Sequence, residues 1–220
     1  MTATADWPVT DFGARIFGAP AVERHGVDVF EHADGVVTPI PWRRWQGTPD
    51  RADRALLARV SRSALDLGCG PGRLAVALTR RGVATLGIDV TPEAVRLTRA
   101  AGGFALHRSV FAPIPGEGTW ACALLADGNI GIGGDPIALL RRVRELLAAD
   151  GRAFVEVASP SHALHVGPAR IRCADGHATA WFGWARVPVT SVGLLAGAAG
   201  FGVREIWHAE GRWFAALARR

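Results

Sequence analysis

The sequence predicts an α/β chain: a doubly wound, mostly parallel seven-stranded sheet with an antiparallel last strand, plus an N-terminal cap and an inserted β-hairpin. Three observations carry that prediction. From residue 64 onward, short apolar runs alternate with helix-period segments, which demands parallel strands and right-handed crossovers. The run Leu65-Asp66-Leu67 breaks into Gly68-Cys69-Gly70-Pro71-Gly72 directly before a helical segment, the order strand, tight loop, helix. The chain closes on two strand-like runs joined by Glu210-Gly211, a link too short for a crossover and therefore an antiparallel pair.

Taken in order, residues 1–49 form the cap and residues 50–220 the main domain, with an insertion at about 159–189. In the cap, 27–32 and 36–40 flank Ala33-Asp34-Gly35, a hairpin signal with an Asp-Gly turn. Pro39 and Pro41 impose an extended exit into Trp42-Arg43-Arg44-Trp45. Thr48-Pro49-Asp50 opens a helix whose Ala52, Leu56, Leu57 and Val60 share a face. Strand 64–67, helix 72–80 and strand 84–89 follow, then a helix that starts at Thr91-Pro92-Glu93 and runs to Ala100. Strands are expected at 105–107, 120–126 and 153–157, and a helix over 137–148 with Asp135 as N-cap and Pro136 in its first turn. In the insertion, 169–174 and 179–185 flank the turn Asp175-Gly176, and the second arm carries Trp181, Phe182 and Trp184. Thr190 or Ser191 is the expected cap of a helix that Gly200 ends, and the last strands span 203–208 and 213–218.

With 220 residues and 49% hydrophobic content, the chain supports one full α/β core. All 25 basic residues are arginine and the net charge is +5, but the arginines are scattered with no aromatic-interleaved basic stripe, which argues against a nucleic-acid partner. Cys69, Cys122 and Cys173 form no CxxC pair, so neither a disulfide framework nor a zinc site is indicated. Residues 1–6 lack a basic start and an apolar core, and no apolar run approaches a membrane span; a cytoplasmic protein without membrane contact is expected. The sequence leaves the oligomeric state open.

The glycine loop has a specific chemistry. Gly68 lets the main chain turn off the strand, while Gly70 and Gly72 let a ligand lie against bare backbone near a helix N-terminus. A dinucleotide loop wants a third glycine where this chain has Arg73, which disfavours a pyrophosphate. Asp66, two residues before the first glycine, opposes a phosphate and suits an ammonium group. Asp89 closes the next strand about 20 residues on, the placement that grips two ribose hydroxyls.

On Leu65-Asp66-Leu67-Gly68-Cys69-Gly70-Pro71-Gly72 followed by Gly87-Ile88-Asp89, the chain resembles the class I S-adenosylmethionine (SAM) methyltransferases, over about 50–220. The Arg44-Trp45 pair before the domain and the run Leu124 to Pro136 are similar to methyltransferases of actinobacterial type. The resemblance implies a Rossmann-like fold, SAM as cofactor, and methyl transfer to an O-, N- or C-nucleophile of a small or medium organic acceptor by in-line displacement. It places Asp66 near the ligand ammonium, Gly68, Cys69, Gly70 and Gly72 along its main-chain cradle, Asp89 on the ribose and Arg44 on the carboxylate. The acidic adenine ligand common in such enzymes is replaced by Ser109, which leaves that contact to the main chain of Val110, with Val90 and Phe111 stacking. Asp127 and Asn129 stand at the end of the fourth strand, facing the transferable methyl. Should the acceptor need a base, His162 or His165 after the fifth strand are the candidates.

The same resemblance narrows the acceptor. Asp127-Gly128-Asn129-Ile130 is not the Asp/Asn-Pro-Pro-aromatic run of enzymes that methylate amino groups of DNA bases, and no Pro-Cys nucleophile occurs. Ala158-Ser159-Pro160 replaces the Asp-Asn pair with which catechol enzymes hold magnesium, so a metal-independent reaction is implied. The alternatives are a SAM-binding module without catalysis and an NAD-type oxidoreductase, the latter opposed by Arg73 and the closing hairpin.

Overall fold

The computed structural model describes Phe17 and residues 27–220; the expectation drawn from residues 1–6 lies outside them, as does most of the cap before the hairpin. Two sheets organise the chain. The larger has seven strands, β3 (Ala64–Leu67), β4 (Thr85–Asp89), β5 (Ala105–His107), β6 (Trp120–Leu125), β7 (Leu147–Val157), β10 (Phe201–Ala209) and β11 (Arg212–Arg219). Their spatial order is β10-β11-β7-β6-β3-β4-β5. β3 pairs in parallel with β4 and β6, and β11 runs antiparallel between β7 and β10. The order reverses at β3, the switch point where open α/β sheets bind ligands.

Alternation along the central strands fills both faces of this sheet. Leu65, Leu67, Ala123, Leu125 and Val155 pack with Leu139, Leu140, Val192 and Ala196 of α5 (Pro136–Leu146) and α6 (Val189–Ala198). Ala64, Cys122, Leu124 and Phe154 pack with Leu56, Leu57, Leu74 and Leu78 of α2 (Arg51–Leu57) and α3 (Arg73–Arg80). Burial on both sides explains why these strands are short continuous apolar runs. The caps follow the sequence. Asp50 accepts from Asp53 N–H at 2.8 Å while Asp53 accepts from Asp50 N–H at 3.0 Å, a reciprocal capping box for α2. Asp135 accepts from the N–H groups of Ile137 and Ala138 to start α5, and Thr91 precedes α4 (Pro92–Ala100).

The second sheet joins two hairpins that lie far apart in the sequence. The cap hairpin, β1 (Val29–His32) and β2 (Val37–Pro39), and the inserted hairpin, β8 (His165–Arg172) and β9 (Phe182–Arg186), form one antiparallel sheet in the order β2-β1-β8-β9. Phe30 pairs with Ile171, and Glu31 with Arg170. The edge strand β9 leans on the main domain through a bridge between Trp184 and Ile132.

Several boundaries differ from expectation: the helix expected over 137–148 ends at Leu146 and the strand expected at 153–157 already begins at Leu147, and three others differ for local reasons. The arms of the inserted hairpin are not 169–174 and 179–185. The Thr179 hydroxyl takes the Ile171 N–H at 3.0 Å, residues 180 and 181 leave the ladder, and pairing resumes at Ala169↔Phe182. The helix expected to start at Thr190 or Ser191 starts at Val189, after an extended Pro188, because the Val189 N–H goes to Ala158 O at 2.9 Å. The extended exit from the cap hairpin ends at Pro41, where Trp42–Trp45 forms the single-turn helix α1. Among the described residues no helix is long and apolar enough to cross a membrane.

Candidate functional site

The ends of β3, β4 and β6, the loop after β5, α1 and the inner face of the four-stranded sheet enclose a cavity of about 600 Å³, within the range of small-molecule sites. Asp66, Gly68, Cys69 and Gly70 line it from the first strand and loop, and Asp89 and Val90 from the second. Ser109, Val110, Asp127 and Asn129 line it from the third and fourth. Gly72 stands behind the wall as the N-cap of α3, and Arg44 reaches it only through Asp127. His162 is exposed, and His165 lies in the four-stranded sheet with its Nδ1 3.2 Å from the Asp34 carboxylate; neither lines the cavity.

The two carboxylates face this common hollow in different states of engagement. One oxygen of Asp89 accepts from Gly70 N–H and the other from Thr91 N–H, both at 2.8 Å, so Asp89 holds the glycine loop in place and keeps further lone pairs for a ligand. Burial pushes its carboxyl above the ordinary carboxylate range against these hydrogen bonds. Asp66 accepts from Ala75 N–H in the first turn of α3 at 3.1 Å and is 2% exposed. Its carboxyl is pushed up to about 7, chiefly by burial; the Arg73 charge opposes the rise and Asp127 and Asp89 add to it.

An ammonium group brought beside Asp66 favours its ionised form. Binding of an aminocarboxylate nucleoside such as S-adenosylhomocysteine is therefore expected to strengthen about tenfold from pH 6 to pH 8, with proton release on the acid side. Calorimetry in buffers of different ionisation enthalpy checks this, and an affinity flat across that range contradicts it.

Glycine serves the loop at two places. A Cβ on Gly68 would stand 2.5 Å from the Asn129 amide nitrogen, and φ is +74°. That amide donates to the Leu67 and Gly68 carbonyls, both at 2.9 Å, so Asn129 ties the β6 loop to the end of β3. At Gly70 φ is +53° and a Cβ would meet nothing within 4 Å, leaving bare main chain open beside the cavity. The Cys69 side chain points away, packed on Gly87 with its Sγ 4.0 Å from Thr98 Oγ1, and burial raises its thiol well above the ordinary range.

Below the loop lies an arginine–carboxylate network that the sequence reading does not foresee. Arg73, noted there only as a missing glycine, is buried and pairs with Asp53 and Asp127. Asp127 has φ +55° and pairs also with Arg44 at 2.8 Å, while its N–H donates to Glu156 Oε2 at 2.6 Å. Arg212 on β11 binds Glu156 at 2.6 Å and 2.8 Å, and Asp53 at 2.8 Å. Asp127 is thus engaged by guanidinium groups. The only sequence signal for this cluster is the capping box that places Asp53 in the first turn of α2.

The strand order, with β11 antiparallel between β7 and β10, is that of the methyltransferase Rossmann-like fold. The family model of the methyltransferase domain matches residues 43–193, more than half of the chain, and the chain belongs to that family. It is a SAM-dependent methyltransferase, and SAM is its cofactor. The structure is similar to a SAM-dependent methyltransferase from Bacteroides fragilis in complex with S-adenosyl-L-homocysteine, with TM-score 0.77 and 20% identity over 100% of this chain and 97% of that one. It is also similar to 1,6-didemethyltoxoflavin-N1-methyltransferase of Burkholderia thailandensis, with bound 1,6-didemethyltoxoflavin and S-adenosylhomocysteine (TM-score 0.58, 18% identity, 79% of each chain). A third similar structure is the sugar N-methyltransferase KedS8 of Streptoalloteichus (TM-score 0.59, 15% identity, 80% of this chain and 88% of that one).

Proposed function

We propose that the chain transfers the methyl group of SAM directly to a nucleophile on a small or medium-sized organic acceptor, without a metal. The observation that carries this reading is the single cavity shared by Asp66, Asp89, the bare Gly70 main chain and the roof of the four-stranded sheet. In it, Asp89 takes the ribose hydroxyls, Asp66 the amino group, and Gly68, Cys69 and Gly70 offer main-chain contacts. Val90, Ser109, Val110 and Phe111 enclose the adenine. Arg44, whose Nε is buried without a partner, is the candidate for the carboxylate, with Asp127 and Asn129 holding it and the loop in register.

When bound, SAM supplies a methyl on a positive sulfur: a lone pair of the acceptor forms the new bond to carbon, and the carbon–sulfur pair returns to sulfur, leaving S-adenosylhomocysteine. That leaving group is already activated, so no Lewis acid is needed, and the protein contributes alignment and exclusion of water. The placement of His162 and His165 outside the cavity gives no support to a base at either, and the proposal assigns none. The 1,6-didemethyltoxoflavin bound in one similar structure and the sugar N-methyltransferase named for another agree with a small-molecule acceptor. The three cysteines are free and buried, which suits the cytoplasm as the proposed compartment.

Incubation with methyl-labelled SAM and, in parallel, fractionated small metabolites, tRNA and DNA tests the reading. Label is expected in the small-molecule fraction. Label in nucleic acid, or in no fraction while SAM binds, contradicts it.

A further inference from the structure

We propose that the acceptor is a flat, uncharged aromatic or heteroaromatic molecule held against Phe30, Phe182 and Trp184, with a nucleophilic atom whose lone pair is already free at neutral pH. The proposal rests on the reading of the cavity as a SAM cradle, because that reading leaves the roof as the acceptor's wall.

The ladder of the four-stranded sheet sets that wall. Phe30 stands opposite Ile171, Phe182 opposite Ala169 and Trp184 opposite Gly167, so these side chains share one face of the sheet. The Phe182 ring is nearly perpendicular to both others, at 85° to Phe30 and 87° to Trp184, with centroids 6.0 Å and 6.2 Å away. Phe30 and Trp184 lie 5.3 Å apart at 39°. Phe182 itself is 3% exposed, so the half-buried Phe30 and Trp184, tilted at 39° to each other, offer most of the wall, and a flat ring can stack on one and meet the edge of the other. A puckered saturated ring has neither the thinness nor the quadrupole to do both.

Charge is divided between the two walls. The charged side chains of the cavity, Asp66, Arg73, Asp89, Arg108, Asp127 and Asp135, all come from the main domain. The roof residues Phe17, Phe30, Trp45, Ile171, Phe182 and Trp184 carry no charge. An acceptor carboxylate pressed against this roof would lose its hydration with no counter-charge. An ammonium would be attracted to the ring faces but has no lone pair to attack with. Among the described residues that line the cavity there is no His, Glu, Lys or Tyr to remove its proton; Asp127 is held by Arg44 and Arg73, Asp135 caps α5, and the SAM reading gives Asp66 and Asp89 to the cofactor. The acceptor atom therefore enters with its lone pair free, as a ring nitrogen does. Methylation of such a nitrogen moves the positive charge from sulfur onto the ring with no proton to dispose of, and the aromatic faces stabilise the product cation.

The test is calorimetric and uses the full chain. A first titration with S-adenosylhomocysteine establishes the cofactor complex, which is then titrated with isoquinoline, decahydroisoquinoline and isoquinoline-3-carboxylate. Isoquinoline is expected to bind about tenfold more tightly than either of the others, and Phe30→Leu and Trp184→Leu are each expected to erase that preference. Unchanged S-adenosylhomocysteine binding serves as the control that each variant is folded. Equal or tighter binding of the saturated amine or the carboxylate, no uptake of isoquinoline, or a preference that survives both substitutions overturns the proposal alone. Failure of S-adenosylhomocysteine to bind the unaltered protein overturns the SAM reading, and the proposal with it.

Discussion

Arg212→Ala is expected to lower the stability of the fold by roughly 3–5 kcal/mol, the cost of removing one partner from a buried charge cluster. Arg212 is 9% exposed at its side chain and reaches Asp50, Asp53, Glu156 and, at 3.5 Å, Asp127. These residues belong to α2, β7 and the loop after β6, so the guanidinium ties three elements to β11. Without it, Asp53, which is fully buried, keeps Arg73 as its one charged partner, and Glu156 loses both guanidinium hydrogen bonds. Burial alone would raise the Asp53 carboxyl, but the hydrogen bonds and charges of Arg73 and Arg212 outweigh it and hold the group below the ordinary range. A carboxyl depressed in the folded state adds stability above its unfolded pKa of about 3.9 and loses it as pH falls through the folded value. The destabilisation by Arg212→Ala should therefore be full at neutral pH and shrink in acid. Urea unfolding at pH 7 checks it, and a loss below about 1 kcal/mol would show that the network is no more than a set of surface pairs.

The second large effect is expected at Asp89. Asp89→Ala should weaken S-adenosylhomocysteine binding about a hundredfold, as two charge-assisted hydrogen bonds to the loop and the ribose contacts proposed for Asp89 are lost together. Gly70 and Thr91 would be left without their acceptor, so the cradle loosens where the ligand lies on bare main chain. Asp89→Asn keeps the shape but offers one acceptor oxygen instead of two, and an intermediate loss is expected. Calorimetry against the unaltered protein measures both. An affinity within threefold in Asp89→Ala would mean that this carboxylate does not hold the nucleoside.

What was legible in the sequence was local. Glycines between an apolar run and a helix, a carboxylate at each of two strand ends, Asp135 before Pro136 and the Glu210-Gly211 turn are short-range patterns, and each falls on the element that its pattern implies. Pairings over long separations were not legible. The partnership of Glu31 with Arg170 and Arg172, which fastens the cap hairpin to the inserted one, links residues about 140 positions apart and leaves no periodic trace. For the same reason the aromatic corner was invisible: Phe30 sits in one hairpin, Phe182 and Trp184 in the other, and only the register brings them together. Arg73 could be read only as a departure from a glycine pattern, since its partners Asp53 and Asp127 come from either side of it in the chain. The histidines illustrate the reverse error of proximity. His165 follows the fifth strand in sequence, yet it belongs to the four-stranded sheet and is turned to Asp34.

A crystal structure with S-adenosylhomocysteine bound tests the whole account most directly. The account predicts the ribose hydroxyls on Asp89, the amino group toward Asp66, main-chain contact at Gly70, and the sulfur facing the roof that carries Phe30 and Trp184. A ligand lodged elsewhere, or one with its sulfur turned from that roof, would contradict it.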